Sequence, residues 1–219
     1  MTVTGSVQTA PPGMIGFDLD QRLNRITAKQ FYTKGYRFCL RYISRASDVE
    51  SPNDLTEAEA NDILDAGLAL MAVQHYPGDG WRPTADLGGT YDHNAAANAG
   101  QAGLPEGINV FLDLEGIAIG TPSEDIIAFC NAWFSEVESV GYVSGVYVGA
   151  NAILSGDDLY WSLKSKHYWR LGSRVPDIPH RGYQMVQSIK PGQVDKNVTL
   201  NDAFGNGVLW VTRSTSLIS

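Results

Sequence analysis

Short hydrophobic runs alternate with helical patterns through most of this chain. Five runs have the length and the β-branched or aromatic content of buried strands, at residues 14–18, 37–43, 68–76, 108–116 and 142–148. Helical patterns follow them at residues 27–34, from residue 56, and at residues 91–102, 121–140 and 150–163. Thr56 and Glu59 have the spacing of a capping box, which supports the second helix. Strands and helices that alternate with short connections predict a parallel α/β sheet.

The helical periodicity ends after residue 163. Three further short runs, at residues 168–171, 183–187 and 208–211, are separated by Gly, Pro and Asp and predict strands joined by loops. Together the patterns favour an α/β fold, a TIM-like (β/α) barrel with about eight strands and five helices, whose last strands lack helices. An open doubly wound sheet is the alternative, but Asp18 stands where such a sheet would carry a glycine-rich phosphate loop. We expect residues 1–13 to be a flexible N-terminal leader and residues 14–219 to be one barrel domain.

The run at residues 108–116 carries the strongest candidate chemistry. On a strand, alternate residues share a face, so Phe111, Asp113 and Glu115 point one way. The opposite face, which includes Val110 and Leu114, is aliphatic and suits packing against helices. The two carboxylates lie at the carboxyl end of the strand, where parallel α/β folds place their sites. Because it is costly to bury unpaired carboxylates, the pair predicts partners, a bound ligand or a catalytic task.

Further acids and aromatic residues lie at or near the ends of other predicted strands. Asp18 ends the first strand and Asp195 comes late in the chain, so a barrel would bring four carboxylates to one mouth. In a sugar cleft, one acid with a raised pKa protonates the glycosidic oxygen, while another stabilises positive charge on the ring. Aromatic residues offer faces on which sugar rings stack, and the candidates are Tyr147, Trp81 and Trp169.

Composition and charge narrow the class of partner. The formal net charge is -8 and the sequence pI is about 4.9. The basic residues are scattered, which argues against nucleic acid or an anionic membrane as the partner. No run approaches the roughly 18 apolar residues of a membrane span, and residues 1–13 lack the basic start and apolar core of a signal peptide. Cys39 and Cys130 are far apart in sequence, and we expect both to be reduced core thiols.

Six short motifs carry a resemblance to a known family. They are Ile15-Gly16-Phe17-Asp18, Val110-Phe111-Leu112-Asp113-Leu114-Glu115, Gly145-Val146-Tyr147, Tyr168-Trp169, Tyr183-Gln184-Met185-Val186-Gln187 and Val194-Asp195-Lys196-Asn197. In this order they resemble the muramidases of glycoside hydrolase family 25, and especially their divergent relatives, the glycoside-hydrolase-like domains of unknown function. The late Trp-Gln-Tyr motif of the muramidases is replaced here by the run at residues 183–187. The likeness covers nearly the whole chain and implies a barrel of eight strands with only five helices.

The resemblance also implies roles for individual residues. Glu115 would be the general acid, and Asp113 would orient the substrate's N-acetyl group or stabilise the transition state. Asp18 and Asp195 would complete the acidic floor. The remaining candidates for substrate contact are Tyr147, Gln187, Arg41 and Trp169. The structural alternative is that Asp113 and Glu115 pair with Arg41, and that Asp18 and Asp195 are helix caps or Asx turns.

Three functions follow as hypotheses. The first is a lysozyme-like glycoside hydrolase of the endolysin type, which cuts peptidoglycan between N-acetylmuramic acid and N-acetylglucosamine with acid assistance and without a metal or other cofactor. The second is a catalytically inactive barrel that binds cell-wall glycan. The third is a metal-dependent hydrolase in which Asp18, Asp20, Asp113 and Glu115 hold Mg²⁺ or Ca²⁺. We expect a monomer that is made in the cytoplasm and acts on the cell wall after release or non-classical export.

Overall fold

Ten strands and four α-helices lie in the part of the chain that the computed structural model describes, residues 2–46, 51–189, 192 and 194–213. The strands are β1 Ser6–Thr9, β2 Ile15–Leu19, β3 Phe38–Ile43, β4 Ala69–Gln74, β5 Asn109–Leu114, β6 Val143–Val148, β7 Tyr168–Leu171, β8 Met185–Ser188, β9 Asp195–Thr199 and β10 Leu209–Thr212. The helices are α1 Arg25–Thr33, α2 Glu57–Asp65, α3 Ala85–Gln101 and α4 Ser123–Ser139, followed by a π-helical turn at Asp158–Ser162.

Eight strands, β2 to β9, close into a barrel. Around the ring the order is β4-β3-β2-β9-β8-β7-β6-β5, and β5 pairs back onto β4, with Val110 opposite Ala72. The pairings in the ring are parallel except those of β9, which runs antiparallel to both β2 and β8. The four α-helices and the π-helical turn all precede residue 163 in the described part of the chain. The predicted α/β barrel with about five helices and helix-free last strands is therefore confirmed.

The eighth barrel strand is not the one that the sequence predicts. Residues 208–211 fall largely in β10, which lies outside the ring, and β9 completes the ring instead. β9 carries little hydrophobic signal, because its buried residues Asn197 and Thr199 are polar. A pattern that requires apolar residues on the inward face of a strand therefore misses it.

β1 lies inside the stretch that the sequence analysis assigns to a leader. It pairs antiparallel with β10, with Ser6 opposite Thr212. β10 in turn meets β4 where Val211 lies opposite Leu70, just before the residues through which β4 contacts β5. β1 escapes prediction because its side chains are polar or at least partly exposed. The expectation for residues 1–13 is corrected accordingly, since residues 6–9 are a strand of the main sheet.

Buried side chains form one layer inside the barrel and another between the barrel and the helices. In β5, Phe111 packs inside, while Val110 and Leu112 pack outside against the helices, as strand alternation predicts. Cys39 and Cys130 belong to the outer layer, and both are free and buried, which confirms the prediction for the two thiols. In the described residues, no helix is long and apolar enough to cross a membrane.

Gly145 on β6 leaves the space that the Phe111 ring occupies inside the barrel. A Cβ at Gly145 would lie 2.5 Å from Cδ1 and Cε1 of this fully buried ring. We expect Gly145→Ala to lower the free energy of unfolding by about 1–3 kcal/mol, measured by urea denaturation. Gly100→Ala in α3 is the control, because a Cβ there meets nothing nearer than 3.9 Å and alanine favours a helix by about 0.5–1 kcal/mol. Wild-type stability in Gly145→Ala would contradict this account of the interior.

Candidate active site

The carboxyl ends of the barrel strands form one mouth, at which most of the predicted site residues meet. Asp18 on β2 lies opposite Asp195 on β9, and Asp113 on β5 lies opposite Tyr147 on β6. Glu115 directly follows β5. The charges of Asp18 and Asp195 both raise the pKa of Glu115, and those of Glu115 and Asp18 raise the pKa of Asp113. The four predicted carboxylates therefore form one electrostatically linked cluster.

Asp18 accepts hydrogen bonds from three side chains. Gln187 Nε2 and Asn197 Nδ2 donate to its Oδ2 at 2.9 and 2.7 Å, and the Tyr42 hydroxyl donates to its Oδ1 at 3.5 Å. Burial raises the pKa of Asp18 to about 6, the hydrogen bonds oppose that rise, and the charge of Asp195 adds to it. Asp18 is therefore mostly ionised at pH 7 even though it is buried.

Two aromatic residues hold the amides that contact Asp18. The Tyr147 hydroxyl donates to Gln187 Oε1 at 2.6 Å, and Trp169 Nε1 donates to Asn197 Oδ1 at 2.8 Å. The two rings also contact each other, with centroids 4.3 Å apart. Trp169 is only 1% exposed, so it lies beneath the mouth and presents no open face for a sugar ring. The structure gives Trp169 a supporting contact in place of the predicted stacking surface.

Asp113 is 2% exposed, and its Oδ1 has no hydrogen-bond partner among the described residues. Burial raises the pKa of Asp113 well above its usual range, and the charges of Glu115 and Asp18 raise it further. Burial and the two neighbouring charges therefore favour the protonated form of Asp113. Because a buried polar atom without a partner is costly, this side chain is suited to a hydrogen bond with a bound ligand.

Glu115 is half-buried at the mouth. Burial raises its pKa to about 7, with further contributions from Asp79 and Asp18, while a backbone hydrogen bond from Ala150 opposes the rise. Gly149 leaves room for the side chain, because a Cβ there would lie 2.6 Å from Glu115 Oε2. A carboxyl group that is half protonated near neutral pH and partly open to solvent can donate a proton to a bound substrate.

Trp81, another candidate for sugar stacking, supports the backbone at this point. Its Nε1 donates to the carbonyl oxygen of Glu115 at 2.7 Å, and its ring packs edge to face on Phe129. Trp81 therefore helps to fix the position from which the Glu115 side chain projects.

Comparison with known proteins identifies the family of this barrel. Residues 29–205 match the family described as Rv2525c-like, glycoside hydrolase-like domain. The chain belongs to this family. No curated protein matches the sequence.

Solved structures share the fold of this Rv2525c-like domain at low sequence identity. The Tat-secreted protein Rv2525c of Mycobacterium tuberculosis has a TM-score of 0.60 and 19% identity, covering 90% of this chain and 99% of that chain. A family 25 glycosyl hydrolase from Bacillus anthracis has a TM-score of 0.62 and 12% identity, covering 87% and 90%. A bacterial lysozyme from Streptomyces coelicolor has a TM-score of 0.58 and 13% identity, covering 87% and 93%. The predicted membership among glycoside-hydrolase-like domains is confirmed, and the predicted likeness to family 25 muramidases is confirmed for the fold.

In this Rv2525c-like domain, Arg41 lies on the outer side of the barrel wall. Its Nε donates to Glu59 Oε1 at 2.7 Å and its Nη2 donates to the Asn53 carbonyl oxygen at 2.6 Å. Arg41 shares its strand face with Cys39, which packs in the outer layer, whereas Tyr42 on the other face packs against the interior layer. The structure therefore does not bring Arg41 to the carboxylates, either as their ion-pair partner or as a substrate contact, and this expectation is corrected.

The acids proposed as metal ligands do not converge on one point. Asp20 is exposed, and its Oδ1 lies 3.5 Å from His75 Nε2. Asp18 Oδ2 is already occupied by two amide donors. Within the described ranges, no three His, Cys, Asp or Glu side chains could hold one metal ion. These positions therefore do not form the four-acid metal site that the third hypothesis requires.

Asn197 and Tyr42 contact Asp18, but the sequence analysis gives neither of them a role at the site, although Asn197 stands in the motif at residues 194–197. The sequence nevertheless contains a signal that could have identified each of these two residues. Asn197 lies two residues after Asp195, so strand alternation places both on one face once β9 is recognised. Tyr42 lies near the carboxyl end of β3, on the face that packs inside the barrel.

Proposed function

We propose that this protein is a glycosidase that cleaves the glycan strands of bacterial peptidoglycan as an N-acetylmuramidase does. The observation that carries the proposal is Glu115, a half-buried carboxyl group with a pKa of about 7 at the mouth of the barrel. A general acid works best when its pKa is near the working pH. The shared fold with proteins named as a family 25 glycosyl hydrolase and a lysozyme supports this choice of substrate. Action on peptidoglycan requires the protein to reach the cell wall.

In the proposed reaction, Glu115, Asp18 and Asp113 have separate tasks. Glu115 donates its proton to the glycosidic oxygen as the C–O bond breaks, and the leaving sugar departs as an alcohol. Asp18, ionised at neutral pH, stabilises the positive charge that develops on the sugar ring. Asp113, whose pKa is raised by burial, makes a hydrogen bond to the acetamido group of the substrate. Glu115, now ionised, then accepts a proton from the water molecule that completes hydrolysis.

The rate of cleavage is expected to be highest between the pKa values of Asp18 and Glu115, about 6 and about 7. Glu115 must be protonated, so the rate falls as the pH rises above the pKa of Glu115. Asp18 must be ionised, so the rate also falls as the pH drops below the pKa of Asp18. The pH dependence of kcat/KM on soluble peptidoglycan fragments should therefore be bell-shaped. A rate that is constant from about pH 5 to about pH 8 would rule out these two assignments.

The direct test is to incubate the purified protein with isolated peptidoglycan and to identify the released fragments by mass spectrometry. We expect disaccharide-peptides with a reducing N-acetylmuramic acid end. Release of fragments with a reducing N-acetylglucosamine end would change the bond assignment. If the protein sediments with the cell wall but releases nothing, the barrel is a glycan-binding module and the enzymatic proposal fails.

A further inference from the structure

The orientation of the Asn197 side chain is fixed by the chemistry of its neighbour. An indole N–H can donate a hydrogen bond but cannot accept one. Trp169 Nε1 donates to one end of the Asn197 amide at 2.8 Å, so that end must be the carbonyl oxygen. The NH₂ group consequently faces Asp18, 2.7 Å from its Oδ2. Asn197 can therefore act on Asp18 only as a hydrogen-bond donor.

The donors to Asp18 are distributed unequally between its two oxygens. Gln187 and Asn197 both donate to Oδ2, whereas Oδ1 receives, from the described residues, only the long hydrogen bond of 3.5 Å from Tyr42. Two N–H donors on one oxygen favour the charged form of a carboxyl group. Asp113 is just as buried but has no partner on its Oδ1 among the described residues. Asp18 and Asp113 thus have similar burial but different donors.

We propose that Asn197, oriented by Trp169, is a positioning residue that keeps Asp18 ionised through its Oδ2, while Oδ1, which accepts the long hydrogen bond from Tyr42, faces the substrate. The part of this inference that concerns substrate rests on the proposed function. The part that concerns the ionisation of Asp18 does not. Trp169, which was expected to stack on sugar, acts through Asn197 and touches no substrate.

Asn197→Asp tests the donor without changing the shape of the side chain. The variant keeps an oxygen that can accept from Trp169, but it replaces the NH₂ group that faces Asp18 by a second oxygen. Two facing carboxyl oxygens repel or must share a proton, so we expect the pH at which Asp18 ionises to rise by about one unit or more, a tenfold change in proton affinity. The readout is a ¹³C NMR titration of the carboxyl carbons, in which Asp18 is assigned by the signal lost in Asp18→Asn.

Asn109→Asp is the matched control. Asn109 is also buried, on β5 of the same barrel, where its Nδ2 donates to the Val143 carbonyl oxygen and its Oδ1 accepts from the Leu209 backbone. The change disturbs barrel packing and makes no contact with Asp18. We expect Asp18 to titrate at the wild-type pH in Asn109→Asp. An unchanged titration in Asn197→Asp, or equal shifts in both variants, would overturn the proposal.

Trp169→Phe removes the N–H group that orients Asn197 but leaves the Asn197 donor in place. It also keeps an aromatic ring in the interior. Without the N–H, the Asn197 amide is free to turn its oxygen toward Asp18. We expect an upward shift of the Asp18 titration that is smaller than the shift in Asn197→Asp. If Asp18 titrates in Trp169→Phe as in wild type, Trp169 has no orienting role and this step of the proposal is wrong.

The pH profile of cleavage provides a second readout and keeps the two proposals separate. In Asn197→Asp, the acidic limb of kcat/KM should move to higher pH by the same amount as the NMR titration. If the wild type releases no fragments from peptidoglycan, the proposed function fails, while the NMR titration still decides the role of Asn197. If the wild type cleaves peptidoglycan and Asp18 titrates normally in Asn197→Asp, only the further inference fails.

Discussion

Glu115→Gln is expected to lower the rate of peptidoglycan cleavage by about 10²- to 10⁴-fold, because an amide cannot transfer a proton to the glycosidic oxygen at neutral pH. The fold should persist, since glutamine has nearly the same shape and fits the space that Gly149 leaves beside this side chain. Binding of glycan should also remain, because the loss concerns proton transfer in the transition state. The rate is measured as reducing ends released from purified peptidoglycan over time.

Glu124→Gln is the matched control for this variant. Glu124 is an exposed glutamate in the first turn of α4, and its substitution makes the same change of charge. We expect the rate of Glu124→Gln to equal that of wild type. Sedimentation of each variant with the cell wall shows whether binding has been preserved. Wild-type activity in Glu115→Gln would remove Glu115 from the role of general acid.

Asp18→Asn is expected to make the protein more stable at alkaline pH and less active. The pKa of Asp18 is raised from 3.8 to about 6 in the folded protein. The folded state therefore binds this proton more tightly than the unfolded state, so stability falls as the pH rises through the interval between these two pKa values. Above that interval the loss amounts to about 3 kcal/mol, at about 1.4 kcal/mol for each pKa unit. Asparagine has no charge to bury, and its oxygen can accept both hydrogen bonds that Asp18 Oδ2 accepts from Gln187 and Asn197.

Urea denaturation at about pH 4 and about pH 8 measures this effect. The difference in the free energy of unfolding between Asp18→Asn and wild type should be small at the lower pH and large at the higher pH. Asp157→Asn replaces an exposed aspartate and should match wild type at both values. A difference that does not depend on pH would show that burial of the Asp18 charge does not limit stability. If the same variant also loses cleavage, the charge that destabilises the folded protein is also needed for function.

The alternation of residues in β5 was sufficient to predict the centre of the site. A strand has only two faces, and one face of β5 is wholly aliphatic, so Phe111 and Asp113 had to share the other face. The carboxyl ends of parallel strands meet at one end of a barrel, which brings Asp18 on β2 to the same mouth. These steps depend on local geometry alone.

The side of the barrel wall on which Arg41 lies could not be predicted in this way. Both faces of β3 are largely apolar, with Cys39 and Ile43 on one and Phe38 and Leu40 on the other, and so the pattern does not reveal which face is inside. The partner that settles it, Glu59, lies on helix α2, in a different segment of the sequence. The network around Asp18 depends in the same way on contacts across the ring, which no single segment of sequence contains.

The pairing of β1 with β10 determines how much of the chain a stable recombinant fragment must contain. The family match spans residues 29–205, but Ser6 pairs with Thr212, and β2 is needed to close the ring. A fragment trimmed to the match would leave β3, β4 and β9 with exposed edges, which promote association between chains. During synthesis, β1 leaves the ribosome long before its partner strand β10. The main sheet can therefore be completed only after β10 has been made, and slow translation before that point would prolong exposure of these edges.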